Sequence, residues 1–129
     1  MILGRKAIAA VFFLLLSLEA IAGEVKIITQ KDNESNVILR VGDNLVIPLD
    51  THNSYLWQID SGLDGVILSP NDIHMLWFPD PTENPVNPKQ VFVFDIVGKG
   101  TTTLTILEYR PWLKKETAIS KFSIEVIVQ

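Results

Sequence analysis

From Val25 onward no stretch keeps apolar residues at helical spacing for three turns. They come instead in short runs about ten residues apart, each closed by Gly, Pro, Asn, Asp or Ser. This confines the chain to packed β-sheets, because a strand buries alternate side chains and a polar turn must return it. Val25 to Thr29 reads as an edge strand. Val37, Leu39 and Val41 alternate with Ile38 and Arg40, and Gly42-Asp43-Asn44 predicts a turn back into Leu45 to Leu49 as a hairpin. Tyr55 to Asp60 puts Tyr55, Trp57 and Ile59 on one face, so Trp57 is expected in the core. Val66 to Ser69 and His74 to Phe78 read as short strands around Pro70-Asn71-Asp72. Pro79 to Pro88 carries four of the seven prolines and predicts a stiff surface loop. Gln90 to Val97 is apolar on both faces, as a central strand requires. Thr101 to Tyr109 follows, and Ala118 to Val128 closes the set with Phe122, Ile124, Val126 and Val128 on one face.

Seven or eight short strands within about 100 residues predict an all-β fold, an immunoglobulin-like β-sandwich. There is no cysteine in the 129 residues. The core alone must hold the sandwich together, and a thiol nucleophile, thiolate metal sites and a lipid-modified cysteine are excluded. Before the strands, Arg5 and Lys6 precede an apolar run from Ala7 to Leu18 and the small-x-small sequence Ala20-Ile21-Ala22. This reads as a secretory signal peptide over residues 1–22, cleaved after Ala22. The run is short for a span of about 20 residues, so no stable membrane anchor is expected after cleavage. The expected domain is residues 23–129, secreted or periplasmic and monomeric when free. Loss of Arg5, Lys6 and Glu19 moves the net charge from −4 to −5. The lysines are scattered and form no basic stripe, which argues against nucleic acid as a partner.

Catalytic sets are missing. His52 and His74 fall in separate elements and show no HxH or HxxxH spacing, so no metal site or cofactor is expected. Asp50, His52 and Ser54 lie too close in one turn to meet as a triad, and there is no nucleophile elbow. Gly98-Lys99-Gly100-Thr101 lacks the spacing of a phosphate loop and reads as a turn between strands.

Three loops then stand out. Asp50-Thr51-His52-Asn53-Ser54 is a turn-forming run that leads into Tyr55. Gly98 to Thr101 joins two strands. Arg110-Pro111-Trp112 follows Leu107-Glu108-Tyr109, and its proline ends the ladder while Arg and Trp flank it. Trp112 is open to two readings, a turn residue folded onto the core or an exposed recognition tip of the kind enriched among binding hot spots. Counting main strands from Val37, all three loops are expected at one end of the sandwich.

These motifs resemble those of the chagasin-like inhibitors of papain-type cysteine peptidases, over about residues 35 to 129. That family carries Asn-Pro-Thr-Thr-Gly-Tyr-x-Trp, Gly-x-Gly-Gly and Arg-Pro-Trp or Arg-Pro-Phe loops on an immunoglobulin-like fold. Arg110-Pro111-Trp112 matches the third intact. Gly98, Lys99 and Gly100 fit the second, with Thr101 where its last glycine is expected. Tyr55 and Trp57 match the first, in which Asp50-Thr51-His52-Asn53-Ser54 replaces Asn-Pro-Thr-Thr-Gly. The resemblance implies a reversible, non-covalent inhibitor with no catalytic residues and a papain-like cysteine peptidase as partner. Its contact residues would be Asp50, Thr51, His52, Asn53, Ser54, Tyr55, Gly98, Lys99, Gly100, Thr101, Arg110, Pro111 and Trp112, with His52 and Asn53 nearest the catalytic thiol. The alternative is an envelope immunoglobulin-like module that binds a sugar or protein without inhibiting a peptidase.

Overall fold

A computed structural model describes residues 23–63, 67–70, 76–79 and 88–129. The expected signal segment, Val66 and His74 of the two short predicted strands, Asn71 and Asp72 between them, and residues 80–87 of the proline-rich loop lie outside these residues. Nine strands are present among the described residues: β1 (Val25–Ile27), β2 (Asn36–Leu39), β3 (Asn44–Asp50), β4 (Leu56–Ser61), β5 (Leu68–Pro70), β6 (Leu76–Pro79), β7 (Pro88–Ile96), β8 (Gly100–Tyr109) and β9 (Ser120–Val128). Short 3-10 turns at Gln30–Asp32 and Lys115–Thr117 are the helical elements described. One sheet runs β1-β3-β7-β5, with β6 also paired to β7, and the other runs β2-β9-β8-β4. Leu45, Ile47, Leu49, Phe92, Phe94 and Ile96 from the first sheet meet Val37, Leu39, Trp57, Leu104, Ile106, Phe122, Ile124 and Val126 from the second in one core. The expected all-β sandwich is therefore observed, with Trp57 buried and β7 central.

The predicted hairpin between Val37 and Leu49 is a correction. Its two strands form, but in different sheets: β2 pairs parallel with β9, and β3 pairs parallel with β1 and antiparallel with β7. Alternation fixes that Val37 and Leu39 point inward, as do Leu45, Ile47 and Leu49, yet it is silent on which neighbour supplies the ladder. The turn between them acts as a corner. Gly42 sits at φ +97°, and its N–H donates across to Ile96 O (2.9 Å), while Ile96 N–H donates to Asp43 O (3.0 Å). Asp43 secures this corner by accepting from Glu24 N–H (2.9 Å) and Arg40 N–H (2.8 Å).

A buried amide ties the sheets together near one end. Gln90 on β7 accepts from Trp57 N–H at Oε1 (2.9 Å) and donates from Nε2 to Trp57 O (2.8 Å). This satisfies both backbone groups of the largest core side chain and joins β7 to β4.

Candidate functional site

β8 decides which loops share an end. Its final residue Tyr109 pairs with Leu56, and Glu108 pairs with Ser120, so the β3–β4 loop and the β8–β9 loop emerge side by side. Asp50 at the end of β3 faces Lys89 at the start of β7, which belongs to the same end.

The first loop is held at each step. Asp50 O accepts from the Trp57 indole N–H (2.6 Å), and the Asp50 carboxylate is ion-paired with Lys89. Thr51 Oγ1 donates to Pro88 O (3.0 Å). Tyr55 N–H donates to His52 O (3.1 Å), closing a turn in which Ser54 adopts φ +74°. His52, Asn53 and Ser54 are exposed and form the loop's tip. The Asp50, His52 and Ser54 side chains do not assemble as a relay, because Asp50 pairs with Lys89 while His52 pairs with Glu108.

The adjacent loop is equally defined. Leu113 N–H donates to Arg110 O (2.9 Å), which places Pro111 at the corner position its fixed φ suits. Trp112 is 68% exposed and Leu113 43%. Of the two readings of Trp112, the exposed tip is the one observed. The far limb of the loop is pinned where Lys115 Nζ donates to Asp60 (2.9 Å), a contact that raises the Lys115 pKa, and where Ile119 N–H donates to Glu108 O (2.8 Å). The two loops also touch: the Arg110 guanidinium lies 4.7 Å over the Tyr55 ring.

Gly98, Lys99, Gly100 and Thr101 are not part of this end, a second correction. They lead into β8 and form its first two residues, whereas Arg110 to Trp112 follow its last residue, and a ten-residue strand at about 3.3 Å per residue separates the two by roughly 30 Å. Loops at opposite ends of one strand cannot share an edge. Gly100, at φ +136°, serves the turn between β7 and β8, the reading its sequence also allowed. On the other side of the tip Pro79 pairs with Pro88. Sequence reading also overlooked Glu108, which is fully buried beneath the tip. The available signal was its phase: it shares the inward alternation of Leu104 and Ile106.

Among the described residues no group of three His, Cys, Asp or Glu side chains is placed to hold a metal. No described helix is long and apolar enough to cross a membrane.

The two-sheet arrangement, with exposed turns after β3 and β8 at one end, has the fold of the inhibitors that the sequence motifs resemble. Two solved structures share it. The crystal structure of the cysteine protease inhibitor EhICP2 from Entamoeba histolytica superposes with a TM-score of 0.64 at 20% identity, covering 82% of this chain and 96% of that one. The solution structure of Amebosin gives 0.62 at 20% identity, covering 83% and 98%. In sequence the chain is similar to Amoebiasin-2 of Entamoeba histolytica, 27% identical over 128 residues that span 92% of this chain and 97% of the relative. No family model matches the sequence.

Proposed function

We propose that the chain is a reversible, non-covalent inhibitor of papain-type cysteine peptidases, not an enzyme, and that its tip enters the peptidase cleft. The observation that carries this reading is the pairing of the two loops. Trp112 projects 68% exposed from a proline-fixed turn, and Arg110 beside it stacks on Tyr55 of the neighbouring loop. The fold shared with a cysteine protease inhibitor supports it further. In this reading His52 to Ser54 enter the cleft, where the chain offers no cysteine for covalent exchange, and Arg110 to Trp112 cover one wall. Contact of the usual protease–inhibitor size would bury about 1,600 Å². Export with cleavage after Ala22 belongs to the same proposal, since it delivers residues 23–129 outside the cytoplasm.

Titration of the domain 23–129 against papain and a cathepsin-like peptidase tests the reading. Reversible loss of peptidase activity, with the inhibitor recovered uncleaved, is expected. Full peptidase activity at about 10 µM inhibitor, a concentration where even a weak specific complex forms, overturns it.

A further inference from the structure

Glu108 occupies a place in the fold that normally belongs to an apolar residue. It follows Leu104 and Ile106 along the inward face of β8, stands across the ladder from buried Trp57, and its side chain is 0% exposed. A carboxylate there has given up its water and must be met by donors. Among the described residues the group that meets it is His52, whose Nδ1 lies 2.9 Å from one oxygen and 3.2 Å from the other. That donor comes from the first loop, 56 residues away in sequence. The His52 side chain remains 56% exposed, so one edge of the ring is held from below while the rest faces solvent.

Two residues further along the same strand direction, Arg110 covers Tyr55. His52 and Tyr55 are the first and last residues of the turn closed by the Tyr55 N–H to His52 O hydrogen bond. The segment Glu108 to Arg110 therefore reaches the first loop at both limbs of its turn. The first loop has Thr51 and Ser54 where the resembling motif has proline and glycine, so its shape cannot come from those residues.

We propose that Glu108 is the positioning residue of the tip: its buried carboxylate holds His52 and thereby presets the His52–Tyr55 turn for the peptidase cleft. The proposal rests on the inhibitor reading for its consequence, but the preset turn exists in the free protein and is measurable there. Fixing a loop before a partner arrives removes its ordering cost from the binding step.

The test uses Glu108→Leu, which fills the buried site with an apolar side chain, Glu108→Gln, which keeps an acceptor for His52, and His52→Ala. Amide hydrogen exchange of the Tyr55 N–H, which closes the turn on His52 O, and inhibition of papain are followed in each. Glu108→Leu and His52→Ala are expected to speed that exchange and to weaken inhibition by about tenfold, the scale of one or two newly immobilised side chains. Glu108→Gln should retain most of both properties, and in Glu108→Leu combined with His52→Ala that amide should exchange no faster than in Glu108→Leu alone. Unchanged exchange of the Tyr55 N–H in His52→Ala overturns the proposal, as does an additive rise of that exchange in the double variant. Should Glu108→Leu fail to fold, His52→Ala and Glu108→Gln decide the matter. A wild-type protein that does not inhibit papain removes the inhibitor reading, and the exchange measurement then decides the role of Glu108 by itself.

Discussion

Trp57 and Trp112 show how differently one residue type is used according to its phase. Trp57 lies inside β4's inward alternation, is 2% exposed and has its indole N–H bonded to Asp50 O. Trp112 follows a proline that has already ended the ladder, and it lies outside the buried core cluster. Replacing Trp112 by Ala should therefore weaken peptidase inhibition by at least tenfold, as truncation of a hot spot worth ~2 kcal/mol or more does, with the melting temperature almost unchanged. A large fall in melting temperature would return Trp112 to the core. Ser54 offers a test of opposite sign. At φ +74° it holds a left-handed conformation that costs an L-residue about 1 kcal/mol, so Ser54→Gly should raise the melting temperature by several degrees. At this scale Trp57 was legible because alternation marks it, and the exposure of Trp112 was left open because nothing local says whether a turn folds back. Glu108 was passed over because a charge in an apolar phase has meaning only when its donor is known, and that donor is distant in sequence.

At the scale of elements, strands are more legible than their neighbours. Gln90 to Val97 could be read as central because both of its faces are apolar, and β7 is indeed flanked by β3 and by β5 and β6. The turn at Gly42 looked like the turn of a hairpin because a corner between sheets uses the same residues, and only the hydrogen bonds to Ile96 distinguish the two. Likewise Gly98 to Thr101 matched part of a motif while lying at the wrong end of β8. Lys99→Ala should accordingly leave the inhibition constant within about twofold of wild type, since the site is roughly 30 Å from the tip; a tenfold loss would place this turn in the interface. The Gly42 corner has its own signature in acid. The Glu24 N–H is the main cause that lowers the Asp43 pKa, opposed by burial and aided by the Arg40 N–H and guanidinium. Because the folded value lies below the unfolded one, Asp43 stabilises the fold above about pH 4 and this contribution is lost as pH falls through the lowered value. Denaturant titrations of wild type and Asp43→Asn should converge in midpoint between about pH 5 and pH 2, and a constant gap would show that the Asp43 charge is not responsible.

Across the whole molecule, stability without disulfides rests on one core and on the Gln90 bridge between sheets. The strand that completes the second sheet is also the last of the nine in chain order. β9 lies between β2 and β8, so β2 has no ladder partner until residues 120–128 are present. A chain that stops before Ser120 should show no cooperative unfolding transition, whereas a native-like transition would mean that the first sheet is stable alone. During synthesis this order leaves β2 waiting for residues 120–128 while β3 can already pair with β7 and β4 with β8, and a pairing of such long sequence separation forms slowly. The second sheet therefore closes only after β9 has been made, and until then the inward face that carries Trp57, Leu104 and Ile106 lacks Phe122, Ile124 and Val126 beside it.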